Sequence, residues 1–142
     1  MTESQRRRPP SGIVVGSMIA ISLGRAHPRP SMKASTRPTG WTIRERDGGR
    51  VYESPMDLAG EQRWSGVAHV GRLPVPGSDR LFLVVAGVHA LGSAGAVDYL
   101  ARNLSDLYAQ VGTRPFSMVV ISDHDGETVT RSELLCPPRV HQ

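Results

Sequence analysis

"LFLVVAGVHALGSAGAVDYL", residues 81–100, holds three kinds of sequence in succession: an apolar run, a bend carrying three glycines, and the opening of an amphipathic helix. The run at 81–87 is apolar at nearly every position. That composition predicts a strand buried on both faces and central in its sheet. From Ser93 the period changes, and Val97, Leu100, Ala101, Leu104, Leu107, Tyr108 and Val111 recur at three and four, with Asp98, Arg102, Ser105, Asp106 and Gln110 left outside. A helix over 93–111 follows, with Ser93 as N-cap and Gly112 as the residue that best tolerates the left-handed exit.

Working outward, "FSMVVIS" at 116–122 is a second fully apolar run. Strand, helix and strand in this order predict a βαβ unit with parallel strands and a right-handed crossover. Upstream, "GVAHVGRL" at 66–73 alternates, and the turn "PVPGSD" makes it the antiparallel partner of 81–87, with His69 as an exposed sheet residue. "WTIRERDGGRVYES" predicts a hairpin, strands at 41–46 and 50–54 around Asp47-Gly48-Gly49. "DHDGE" turns the chain into an edge strand at 128–135, which Pro137-Pro138 should end. The expected fold class is α/β: a small Rossmann-like mixed sheet with one long helix, an incomplete doubly wound domain at 41–138.

Charge is unevenly placed. Residues 1–40 carry Arg6, Arg7, Arg8, Arg25, Arg29, Lys33 and Arg37 against Glu3 alone, whereas 7 Arg face 10 acidic residues from Val51 onward, so the formal +4 belongs to the N-terminal stretch. That stretch reads as a basic, Pro- and Arg-rich tail, poorly ordered, and is only a weak pointer to nucleic acid. Arg6-Arg7-Arg8 followed by "GIVVGSMIAISL" has the outline of a secretory signal at 6–26, but Gly16, Ser17 and Ser22 interrupt the apolar run and no good cleavage pattern follows. It is also shorter than the roughly 20 residues a membrane span needs. The lone Cys136 excludes an internal disulfide and a Cys-type metal cluster, and a cytoplasmic location is the default.

The bend "GVHALGSAG" should lie at the carboxyl edge of the sheet, where amides and a helix dipole favour anions. Gly87, His89, Gly92, Ser93 and Gly95 are therefore the candidate ligand-binding residues, and glycines that merely let the helix lie close to the sheet are the alternative. The Walker pattern fails because Ser93 stands where its lysine belongs, and G-x-G-x-x-G fails at His89. The nucleophile elbow G-x-S-x-G is missed at Leu91, although Ser93, Asp123 or Asp125, and His141 occur in hydrolase order. Asp123, His124 and Asp125 form a second candidate cluster. It lacks the remaining ligands of a calcium loop and reads first as turn chemistry, so neither a metal nor a cofactor is expected.

"GRVYESPMD", "VGRLPVPG", the stretch 81–108, "VGTRPFSMVV" and "TRSELLCPP" together resemble, over about 40–138, the C-terminal portion of an uncharacterised bacterial domain found behind helix-turn-helix regions in transcriptional regulators. The resemblance implies a regulatory domain of no established enzymatic activity, beginning with a further strand and a "GPR"-like loop. Here the loop is absent, "GIVVGSMIAISLGR" is at most a remnant of that strand, and no helix-turn-helix is evident, so a DNA-binding role does not transfer. A chain lacking that first unit would expose sheet surface, and would be truncated or dependent on a partner. The leading expectation is a sensory module for an anionic, nucleotide-like small molecule. The alternatives are a ligand-free interaction domain, docking on a protein partner or as a homo-oligomer, and an enzyme cleaving esters or N-glycosides with Ser93 and His89.

Overall fold

The computed structural model describes residues 12–15, 19–23, 41–45, 49–55 and 64–141. β1 (Gly12–Val15), β2 (Ile19–Leu23), β3 (Trp41–Glu45) and β4 (Val51–Tyr52) form one antiparallel meander in that order. β5 (Ser65–Pro74), β6 (Leu81–Gly87), β7 (Phe116–Asp125) and β8 (Thr128–Val140) form a second sheet, ordered β6-β5-β7-β8, and α1 (Ala90–Val111) joins β6 to β7.

The period-two alternation of β5 and β7 divides the second sheet into two working faces. Ala68, Val70, Phe116, Met118 and Val120 pack beneath Ala96, Leu107 and Val111 of α1. On the reverse face Val67, Val119 and Cys136 meet Ile43 and Tyr52 of the first sheet. The result is a helix, a sheet and a sheet in three layers, with β5 and β7 covered on both sides. Glu45 ties the outer sheet down: it accepts a 2.8 Å hydrogen bond from Tyr52 and pairs with Arg139 of β8 at 3.3 Å.

This architecture is α/β, but the Rossmann-like, doubly wound expectation is corrected. β6 and β7 do run parallel to each other, yet β5 lies between them and is antiparallel to both. Among the described strands no parallel pair is adjacent, so they form no switch point of the doubly wound kind. β5 takes the middle because it is locally paired with β6 through a short hairpin and keeps its other edge for β7.

The expected central strand is thus an edge. Leu81, Phe82 and Leu83 of β6 are exposed. His69 is corrected in the opposite sense, being fully buried because β5 is covered on both faces. β8 is an edge as expected, but it continues through Pro137-Pro138 to Val140. Its register against β7 shifts around Val119, and prolines are tolerated at such irregular edge positions.

The helix begins three residues early. His89, with φ −128 and ψ 166, is the N-cap in place of Ser93, whose Oγ instead accepts the Gly87 N–H at 3.0 Å. Asn103 departs from helical geometry, and its side-chain amide donates to the Tyr99 carbonyl at 2.9 Å. Gly112, at φ 57, ends the helix. Within the stretch read as a tail, β1 and β2 are strands that extend the first sheet; residues 1–11 and 24–40 lie outside the described residues, as does the 46–48 turn.

Candidate functional site

The glycine bend brings two backbones into contact. A Cβ at Gly92 would sit 2.4 Å from the Val67 carbonyl oxygen, and one at Gly66 would sit 2.3 Å from the Gly92 nitrogen. Helix backbone therefore rests directly on β5 backbone, which no other residue type permits. Gly95 closes on β7 in the same way, since its Cβ would lie 1.9 Å from Ser122 Oγ. Gly87 faces the Ser93 amide at 2.5 Å from its would-be Cβ.

The amides of Val88, Gly92 and Ser93 are occupied from within the chain. Gly92 and Ser93 both donate to the His89 carbonyl, at 3.0 and 3.3 Å, and Val88 donates to Val67 at 2.9 Å. Gly92 and Gly95 are buried, while His89 and Ser93 are half-buried. The glycines serve close helix-to-sheet packing, and the N–H groups of Gly92 and Ser93 point into the helix.

The second cluster splits across β7. His124 turns toward α1, where Nε2 shares a 2.8 Å hydrogen bond with Ser122 Oγ beneath Gly95, and Nδ1 is buried without a partner. Asp123 takes the opposite face and accepts a 2.6 Å bond from Ser65 Oγ. Asp125 is exposed beside the turn, paired in register with Thr128. Bend and turn meet through the packed contact of Gly95 on Ser122 and His124. Among the described residues no three His, Cys, Asp or Glu side chains gather to hold a metal ion.

The hydrolase order of Ser93, Asp123 and His141 is not assembled in space. His141 shares a 2.7 Å hydrogen bond with Ser117, near the start of β7, about 20 Å along the strand from Asp123. His69 lies on that side, fully buried with neither ring nitrogen hydrogen-bonded. Burial, reinforced by the nearby His141, pushes its pKa down to about 4. Burial lowers that of His141 as well.

The surface of the described residues also carries an apolar groove. Between α1 and β6 runs an open groove of about 480 Å³, with Leu83, Val97, Leu104 and Tyr108 on its walls and Arg72 and Phe116 at one end. These wall residues remain 56, 57, 62 and 58 % exposed. Ala101 lies on the same side, so Val97, Ala101, Leu104 and Tyr108 form a second stripe of α1 beside the buried one. Their spacing of four, three and four is that of a helix-to-helix seam. Arg72 closes the groove by a physical device of its own. Its guanidinium donates to the Gly112 and Arg114 carbonyls and lies 5.4 Å from the Phe116 ring, placing a cation at the negative end of α1.

The periodicity of α1 identified these residues as apolar but assigned them to the core. The available signal was width: Val97, Ala101, Leu104 and Tyr108 add a full flank to the Ala96, Leu107 and Val111 face, more than one sheet can cover. Comparison with family models, curated proteins and solved structures finds no match for this chain. No helix among the described residues is long and apolar enough to cross a membrane.

Proposed function

We propose that this chain is a protein-interaction module whose docking face is the groove between α1 and β6. The carrying observation is the juxtaposition of an exposed, seam-spaced apolar stripe with the edge strand beside it. Single exposed apolar residues are ordinary on protein surfaces, whereas a contiguous patch of this kind marks a contact site. Burying one leucine of the stripe on docking is worth about 1.5–3 kcal/mol.

The anionic-ligand reading relied on amides beside Gly92 and Gly95, and the bonds of Gly92 and Ser93 to His89 leave it without that support. The groove itself offers an aliphatic and aromatic wall, and Arg72 at its end is already bound to backbone carbonyls. A regulatory role, implied only by the resemblance over 40–138, is compatible with a module that acts by contact.

A photo-crosslinking residue placed at Leu104 in the cell should form a covalent adduct with whatever docks. The same residue at Arg102, on the other flank of the helix, should not. Equal adduct from both positions, or none from Leu104, removes the docking face.

A further inference from the structure

We infer that the occupant of this face is a second copy of the same chain, joined β6 to β6 and α1 to α1 about a twofold axis. The inference rests on the interaction reading above and names its partner.

The backbone supplies the first reason. β6 has one strand neighbour among the described residues, so its outer side presents a row of unpaired N–H and C=O groups. Edges that stay open in solution are guarded by charge, proline, bulges or short length. β6 has none of these: its seven residues, LFLVVAG, carry no charge and no proline, and they pair with β5 in unbroken register from Leu81 to Gly87. An antiparallel partner strand would satisfy this edge.

The helix supplies the second. A twofold axis perpendicular to the sheet at the middle of β6 keeps both helices on one face of a continuous eight-stranded sheet. It sets α1 antiparallel to its copy on that face, with the apolar grooves beside Leu83, Val97, Leu104 and Tyr108 opening toward each other across the axis. Such an interface must be complementary to itself, and this one is: apolar against apolar along the stripe, backbone edge against backbone edge along the strand. The charged residues Asp98 and Arg102 are paired with each other at 2.9 Å, and Asp98 also accepts a bond from Ser132 of β8, so they stand on the far flank and oppose nothing across the axis.

Area supplies the third. Specific interfaces bury about 1,200 Å² or more in total, and Leu83, Val97, Leu104 and Tyr108 each leave more than half of their surface exposed for such burial. One face thus accounts for both unsatisfied features at once. A lone amphipathic helix would fill the groove and leave the strand edge open.

Sedimentation equilibrium of the full chain tests the inference. A dimer that dissociates on dilution is expected, and Leu104→Glu should weaken it at least 100-fold while leaving the circular dichroism and thermal unfolding of the monomer unchanged. Leu83→Pro, which removes an N–H on the side of β6 that faces away from β5, should dissociate it too. A monomer at every accessible concentration, with Leu104 crosslinking in the cell to a different protein, would overturn the second copy and retain the docking face. A monomer whose Leu104 crosslinks to nothing would overturn both. A dimer indifferent to Leu104→Glu and Leu83→Pro would place the contact elsewhere and overturn the inference.

Discussion

The second sheet has two edges, and they are built differently. β8 carries Arg131, Glu133, Arg139 and two prolines, and its register against β7 is broken by shifts. β6 is regular, uncharged and proline-free over its whole length, and an apolar helix flank lies beside it. Both strands are pairing surfaces by geometry, but only β8 bears the features that discourage pairing. On the proposed pairing, chemistry, more than position in the sheet, distinguishes an edge left to water from one offered to a partner.

The comparison can be broken first at the strand lying between β8 and β5. Met118→Asp puts a charge where β7 is fully buried and should cost at least about 4 kcal/mol, enough to abolish the cooperative unfolding transition. A folded Met118→Asp chain would mean that the sheet centre is not where β5 and β7 place it.

His69 gives the next effect in size. The unfolded chain binds a proton on this imidazole near 6.5, the folded chain only near 4, so stability is complete above about pH 6.5 and falls as the pH drops toward 4. The loss across that window is about 3 kcal/mol. Denaturant unfolding at a series of pH values should show it, and His69→Leu should flatten the curve. An unchanged slope in the variant would contradict the burial of a neutral, unbonded ring.

Gly92→Ala should cost roughly 2 kcal/mol, because its Cβ meets the Val67 carbonyl, a backbone group that cannot rotate away. A neutral result by thermal unfolding would show that helix and strand are farther apart than described. The smallest effect sharpens the contrast between the edges. Leu83→Lys in β6 and Leu135→Lys in β8 replace exposed leucines and should each change monomer stability by less than about 0.5 kcal/mol. Only Leu83→Lys should alter association, as read by light scattering.

Local features of this fold were legible in the residues. The strand at 81–87, the apolar period of α1, its stop at Gly112, and the pairing of 66–73 with 81–87 follow from patterns of a few residues each. Strand order did not, because it is decided by contacts distant in sequence. Nothing within "LFLVVAG" says that β5 intervenes between it and "FSMVVIS", and an all-apolar strand reads as central whether its cover comes from its own chain or from another. His69 was misread for the same reason: alternation shows that two faces differ but not that a second sheet covers the outer one.

The glycine bend was legible as a close approach, since Gly92 and Gly95 do touch Val67 and Ser122. Whether its amides faced outward depended on where the helix began. Ser93 is a good N-cap by type, but its hydroxyl accepts the Gly87 amide, and that local bond let the helix start at Ala90 with the Gly92 and Ser93 amides already engaged. The groove was legible only as excess. Seven recurring apolar positions on one helix exceeded what a single sheet could bury, and the surplus lies along β6.

Amide hydrogen exchange at Leu83 and Val85, whose N–H groups face away from β5, tests the central claim most directly. If a second copy closes the β6 edge, amides on its outer side exchange slowly in concentrated protein and speed up on dilution or in Leu104→Glu, while those of β5 do not change. Exchange at Leu83 and Val85 that is equally fast at every concentration would mean that the edge stands open and that no copy pairs with it.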